Sequence, residues 1–168
     1  MESSLAVLEH TPWWVYGILA VLIVTGVQAL RPRVVPVGRL LVVPGIFIGW
    51  GILSVVQRSA ATPVLALDWI AADALGVAIG WTTARLSGFA FAADGRSVRV
   101  PGSPMPLVRN GVLFVSRYSL AVAAAFATTV TAHAQLVAWD VAVSGVATGY
   151  FVGWLARFAR ARRTPALS

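Results

Sequence analysis

Five long apolar segments, separated by short polar stretches, account for most of the chain. They cover residues 12–30, 39–57, 63–84, 111–132 and 136–158. Each is close to the roughly 20 apolar residues that an α-helix needs to cross the hydrocarbon core of a bilayer. The pattern therefore predicts an all-α membrane helix bundle with five transmembrane helices, which forms a single domain over residues 1–168.

The composition favours the same fold class. Hydrophobic residues make up 58% of the chain and charged residues only 11%, and the mean hydropathy is +0.81. Soluble domains carry about 25% charged residues, so this chain has less than half the usual charge. Cysteine is absent, which excludes disulfides, a thiolate nucleophile and cysteine metal ligands.

The distribution of arginine predicts the orientation in the membrane. The chain has 13 basic residues, all of them arginine. Eleven fall after helix one, after helix three and in the C-terminal tail: Arg31, Arg33, Arg39, Arg85, Arg96, Arg99, Arg109, Arg157, Arg160, Arg162 and Arg163. These regions share one side of a five-helix bundle, and excess arginine marks cytoplasmic loops. We therefore expect a bacterial-type inner membrane protein with its N-terminus outside and its C-terminus in the cytoplasm.

The same arginines also indicate which partners the protein meets. At the inner leaflet they would meet anionic lipid headgroups, and we do not expect nucleic acid as a partner.

Residues 1–10 contain Glu2 and Glu9 but no arginine. A signal peptide has a positive start and a small-residue cleavage site, so we expect the first helix to be retained.

The longest link, residues 86–108, carries a hairpin signal. Asp94-Gly95 stands between two short runs in which apolar residues alternate with small or polar ones, and Asp-Gly favours a tight β-turn. One face would be shared by Phe89, Phe91, Val98 and Val100, and it would lie on the membrane or under the bundle. A recognition loop and a simple connector are both open interpretations.

Helices two and three resemble a diverged copy of helices four and five. The segments 68–85 and 140–157 each begin with an aspartate beside a tryptophan and end in Ala-Arg. Both hairpins would run from the inside to the outside and back. They would then be parallel repeats about an axis along the membrane normal, which is one known plan of transporters.

Asp73 and Arg117 are charges within predicted helices three and four. At about 1.5 Å per residue, their depths are similar enough for the arginine side chain to reach the carboxylate. A charge at mid-span costs about 2.5–3.5 kcal/mol on insertion scales, so we expect the two to pair in the protein interior. The pair would be either a static contact that sets helix register, or a working site that anchors an anion or responds to protons.

A second polar group falls near the predicted outer face: His10, Asp68, His133 and Asp140. Histidines with carboxylates can bind a divalent metal, and two histidines can ligate haem. Solvated loop residues are the plainer interpretation, since no spacing is diagnostic. We therefore assign no metal and no cofactor.

Glycines spaced four residues apart recur in three predicted helices. The rows are Gly45/Gly49, Gly76/Gly80 and Gly145/Gly149/Gly153. Small residues at this spacing let helix backbones approach closely. The rows would serve packing within one subunit, or a homo-oligomer interface.

Several short motifs resemble those of a family of small bacterial inner-membrane proteins whose function is not established. The motifs are His10-Thr-Pro-Trp-Trp-Val15, Arg31-Pro-Arg33, Pro101-Gly-Ser103 and Arg117-Tyr118. The resemblance covers most of the chain in length and hydrophobicity. It implies that the His-Thr-Pro start and the Arg-Tyr pair of helix four are shared features, and it carries no activity.

Three classes of function remain open. The chain has no P-loop, no Gly-x-Ser-x-Gly and no His-Glu-x-x-His, so an enzyme is poorly supported. The first hypothesis is a small transporter or channel in which Asp73 and Arg117 line or gate the path. The second is a non-transporting scaffold or lipid-binding protein that uses the arginine-rich side, and the weakest is a haem or metal protein.

Overall fold

A computed structural model describes residues 12–59, 63–92 and 95–163. About 80% of it is helical. Within the described residues it has five helices, α1 (Trp13–Gln28), α2 (Val37–Ser59), α3 (Pro63–Leu86), α4 (Met105–Phe126) and α5 (Val130–Arg163). Three short strands join them: β1 (Arg33–Pro36), β2 (Ala90–Phe91) and β3 (Ser97–Val100). The prediction of a helical bundle with a small β-hairpin is confirmed.

The hairpin is part of a three-stranded antiparallel sheet of order β1-β3-β2. Gly95 has a φ of 63° next to the turn, a left-handed conformation that glycine adopts without steric cost. Strand β1 was not predicted. It pairs Val35 with Val98 on the other side of β3, and its short run of β-branched residues was the available signal.

The apolar face of the sheet closes one end of the bundle. Val98 is completely buried against Val37 of α2 and Phe158 of α5. The ring of Phe89 lies 5.4 Å from Trp154 and 5.2 Å from Phe158, edge-on to both. The predicted apolar face therefore packs under the bundle, and we call this end of the molecule the sheet end.

Every helix has one end at the sheet end, because the strands and the links around them join successive helices there. The chain therefore runs toward the sheet in α1, α3 and α5 and away from it in α2 and α4. The last turn of α1 is tied to the start of α4, since the backbone N–H of Ser103 donates to the carbonyl of Ala29 at 2.9 Å. This bond satisfies a carbonyl that the helix end leaves without an intrahelical partner.

Helices α3 and α5 form the tightest contact of the fold. A Cβ added at Gly145 would lie 2.6 Å from the carbonyl oxygen of Trp69. One added at Gly153 would lie 2.8 Å from the carbonyl carbon of Val77. The contacts advance in the same direction along both helices, so α3 and α5 are parallel and touch backbone to backbone.

The predicted repeat extends only to this central pair. α3 and α5 are its corresponding helices, and they lie side by side in the same direction. Their flanking helices are placed differently, because α2 packs on both α5 and α3 whereas α4 packs mainly on α1 and α5. The packing around the central pair is therefore not twofold.

The boundaries around α4 differ from the predicted spans of 111–132 and 136–158. α4 begins at Met105, because prolines are compatible with the first turn of a helix. α5 begins at Val130, where the Thr129 hydroxyl accepts the backbone N–H of Ala132 at 3.1 Å as a helix cap. His133 therefore lies in the first turn of α5 rather than in a loop, and the arginine-rich tail is helical up to Arg163.

Two of the described helices, α3 and α5, are long and apolar enough to cross a membrane. Shorter apolar helices lie at Val15–Gln28 and Val37–Leu53. The prediction of five transmembrane helices is therefore not confirmed. Only 11% of the apolar window of α3 is buried inside the protein, whereas a core helix of a soluble protein would be buried over most of its length.

Candidate functional site

Arg117 pairs with Asp140, not with Asp73. Its guanidinium Nη1 forms an ion pair and hydrogen bond with Oδ1 of Asp140 on α5. The side chain of Arg117 is 46% exposed and that of Asp140 is 19% exposed. The prediction that Arg117 pairs with Asp73 is therefore wrong. Its partner is Asp140, which the sequence analysis placed in the outer polar group.

The reason lies in the packing of α4. This helix packs mainly on α1 and α5, so Arg117 meets the side of α5 that carries Asp140. Asp73 lies on the α3 row that continues through Gly76, Gly80 and Ala84, all three of them buried, and that row faces α5. Asp73 is level with Gly149 of α5, nine residues and therefore about 14 Å along the helix from Asp140. The expectation that Asp73 and Arg117 lie at similar depths is therefore wrong as well.

Asp73 instead forms a polar position inside the α3–α5 contact with Trp69, one helical turn earlier. Oδ1 of Asp73 and Nε1 of Trp69 are both buried, and neither has a hydrogen-bond partner among the described residues. Buried polar atoms are nearly always satisfied, so two such atoms on one helix face call for a physical explanation. This position is the first candidate site.

Two buried polar side chains of α5 lie beside this contact, on the side of Thr148 that faces Gly51 of α2. Ser144 is 3% exposed and Thr148 2% exposed. The Thr148 hydroxyl donates to the backbone carbonyl of Ser144 at 2.9 Å, a bond that keeps its proton within its own helix. Thr148 thus belongs to the contact of α5 with α2, and its hydroxyl donor is used within α5.

Arg109 forms a second polar group, which is half-buried and which the sequence analysis placed in a loop. Its guanidinium carbon lies 4.8 Å from the ring centroid of Phe151 and 5.5 Å from that of Tyr150. Its Nε and Nη2 donate to Oδ1 of Asn110 at 3.3 and 3.2 Å. The hydroxyl of Tyr150 accepts a hydrogen bond from Thr83 at 3.3 Å, so this group links α4, α5 and α3.

Eleven arginines lie at the sheet end, as the sequence predicted for one side of the bundle. They are Arg31, Arg33, Arg39, Arg85, Arg96, Arg99, Arg109, Arg157, Arg160, Arg162 and Arg163. The sequence offers one acidic residue in the same segments, Asp94, which lies outside the described residues. The three described aspartates are all on α3 and α5, away from the sheet. The sheet end is therefore strongly positive, and it is the second candidate site.

The sheet displays part of this charge. Arg99 is exposed on the face of β3 opposite to Val98, between Val34 of β1 and Ala90 of β2. Arg162 reaches the hairpin turn and donates to the carbonyl of Gly95 at 3.2 Å. The sheet thus holds arginines in place while its apolar face stays under the bundle.

The structure gives no support to the predicted outer polar group as a metal or haem site. His10 lies outside the described residues, and Asp68 and His133 are exposed on α3 and α5. Within the described part of the chain, no three His, Asp or Glu side chains come together in a way that could hold a metal ion. Asp140 belongs to the ion pair with Arg117.

Two of the three glycine rows pack within the subunit. Gly76/Gly80 and Gly145/Gly149/Gly153 form the α3–α5 contact. A Cβ at Gly45 or Gly49 of α2 would meet open space. A homo-oligomer through glycine faces therefore stays a prediction for the α2 row.

No protein-family model, curated protein or solved structure matches this chain. The resemblance to a family of small bacterial inner-membrane proteins stays a prediction.

Proposed function

We propose that this chain is a five-helix protein of a bacterial-type inner membrane that binds anionic phospholipid headgroups through its sheet end. The N-terminus lies outside and the sheet end lies in the cytoplasm. The observation that carries the proposal is the excess of eleven arginines over one acidic residue at a single end of the bundle.

The exposed apolar surface supports a bilayer as the solvent around the helices. Large side chains point outward on all five, among them Ile23 (48% exposed), Leu53 (54%), Leu67 (67%), Val115 (60%) and Trp139 (65%). Soluble monomers do not expose apolar faces of this extent. With lipid around the helices, every link at the sheet end lies at one membrane surface.

The charge at that surface supports a specific chemistry. Cytoplasmic leaflets carry anionic lipids, and each arginine near them contributes about 1 kcal/mol of attraction. Arginine also donates two parallel hydrogen bonds to a phosphate, which a lysine cannot do. A protein whose basic residues are all arginine is suited to hold phosphate headgroups.

Transport through Asp73 and Arg117 has less support. Arg117 is engaged with Asp140, and the glycine rows bring α3 and α5 into backbone contact beside Asp73. A path lined by both residues would need α3 and α4 to be neighbours. Lipid binding needs only the arrangement already described.

Native mass spectrometry of the detergent-solubilised protein tests the lipid proposal. We expect tighter binding of phosphatidylglycerol, which is anionic, than of phosphatidylcholine, which has no net charge. Arg33→Gln and Arg99→Gln should each weaken phosphatidylglycerol binding about fivefold, the equivalent of about 1 kcal/mol. Arg58→Gln, at the opposite end of α2, is the matched control and should change nothing. Equal affinity for the two lipids would refute the proposal.

The absence of cysteine makes the orientation directly measurable. A single cysteine placed at Ser97 in the sheet should react with a membrane-impermeant maleimide only after the cells are opened. One placed at Ser3 should react in intact cells. Labelling of Ser97→Cys from outside would overturn the proposed topology.

A further inference from the structure

The carboxylate of Asp73 lies at the α3–α5 contact, and no ion pair of it is found in the part of the chain that the structure describes. Asp73 Oδ1 is buried and has no hydrogen-bond partner among the described residues. The backbone of Asp73 is also against Gly149, where a Cβ would come within 2.9 Å of the Asp73 Cα. The backbone of Asp73 is thus in direct contact with α5, and one of its two carboxylate oxygens is buried beside that contact.

The other charged and titratable groups on α3, α5 and α2 are paired with another residue, exposed or distant from Asp73. On α5, Asp140 pairs with Arg117, and Tyr150 accepts a hydrogen bond from Thr83. His133 is in the first turn of α5, and Asp68, on α3 itself, is exposed. On α2, which packs against α3 and α5, the charged residues are Arg39 and Arg58, close to its two ends. Arg85, on α3, is 12 residues and therefore about 18 Å along the helix from Asp73.

An ionised Asp73 would thus be a lone negative charge among apolar helices. Such a charge at mid-span is costly in a bilayer, and cavities or partners normally offset that cost. A bound monovalent cation would remove the net charge. The indole N–H of Trp69, which is also buried without a partner, would donate to a water molecule at the same position.

We propose that Asp73 and Trp69 form a binding site for one monovalent cation, a proton or an alkali ion, at the contact of α3 and α5. The carboxylate supplies the negative charge, and the Trp69 N–H orients the accompanying water. The cation binds reversibly, and no covalent step is involved. This site is independent of lipid binding at the sheet end.

Labelling with a hydrophobic carbodiimide tests the site, because the reagent adds to protonated carboxyl groups in apolar surroundings. We expect Asp73 to be labelled in the purified protein, as located by fragment mass spectrometry. The labelling rate should fall by about tenfold per pH unit once most of the carboxyl is ionised. Asp73→Asn should abolish the label, and Asp68→Asn, the control on the same helix, should retain it.

Replacing choline by sodium or potassium at constant pH separates the two ligands. Slower labelling with an alkali ion assigns the site to that ion, and an unchanged rate assigns it to the proton alone. Infrared difference spectra provide a readout that needs no reagent, since the carbonyl band of a protonated carboxyl is distinct from that of a carboxylate. A protonated or cation-dependent band that Asp73→Asn removes supports the proposal. It is overturned if Asp73→Asn leaves both the spectra and the labelling unchanged.

Discussion

Gly149 of α5 lies directly against the backbone carbonyl group of Asp73 on α3. A Cβ at position 149 would come within 2.7 Å of that carbonyl carbon, a separation that real Cβ atoms do not show. The two helices can therefore be this close only because residue 149 has no side chain. This contact and its repeats at Gly145 and Gly153 set the geometry on which the rest of the bundle is built.

Gly149→Ala should destabilise the protein although alanine favours helices. Overpacking at a tight contact costs about 1–3 kcal/mol, which outweighs the gain of up to about 1 kcal/mol in helix propensity. Thermal unfolding in detergent would show a lower Tm. Gly49→Ala on α2, where a Cβ meets open space, is the matched control and should keep or raise the Tm. Equal effects of the two substitutions would contradict the contact.

Arg117 and Asp140 should show energetic coupling in a double-mutant cycle. Arg117 is half exposed and Asp140 largely buried, so we expect a value between the about 1 kcal/mol of an exposed pair and the about 3 kcal/mol at which buried pairs begin. The coupling energy is obtained from the unfolding free energies of three variants: Arg117→Gln, Asp140→Asn and the double variant. The cycle of Arg117→Gln with Asp73→Asn should be additive, because those residues do not touch. Coupling in the second cycle and not in the first would restore the partner predicted from the sequence.

Val98→Ala should loosen the sheet without unfolding the helices. It removes two methyl groups from a completely buried position, at a cost of about 2 kcal/mol. Trypsin should then cleave faster after Arg96 and Arg99, since the sheet opens more often. Val34→Ala, on the opposite, exposed face of the same sheet, should leave the cleavage rate unchanged. A similar acceleration in both variants would argue against the burial of Val98.

Tyr150 should contribute to stability mainly through its ring. Tyr150→Phe removes the hydroxyl that Thr83 donates to and should cost about 1 kcal/mol. Tyr150→Leu also removes the ring below the Arg109 guanidinium and should cost about 0.5–2 kcal/mol more. Unfolding measurements with and without Arg109→Gln isolate the cation–π part of this extra cost, because the edge contact of the ring with Phe151 remains in both backgrounds. The extra cost should be smaller in the Arg109→Gln background. An equal extra cost in both backgrounds would show that the cation–π contact contributes nothing.

Much of the local structure follows from residue order. Apolar runs of helical length predict the helices, and Asp94-Gly95 predicts the hairpin. The 3.6-residue period puts Asp73 on one row with Gly80 and Ala84. These features depend on residues close together in the chain, so composition and spacing are sufficient to find them.

The candidate sites depend on which elements become neighbours, and periodicity carries no such information. It places Arg117 at about the depth of Asp73, yet α4 packs on α5 and so meets Asp140. It does not bring Arg33–Pro36 to β3, because that pairing joins segments more than 60 residues apart. Nor does it stack Arg109 on the rings of Tyr150 and Phe151.

The chain order thus defines the faces of the helices, the single basic end and the turn. The partner of each face is set by long-range packing, in which the glycines of α5 permit α3 to come closer than α4. The physical reason is steric: the backbone of one helix can be approached this closely only where the other helix has a glycine and therefore no Cβ in the way. The identity of that neighbour then determines which charges are paired, and among the described residues it leaves Oδ1 of Asp73 without a partner.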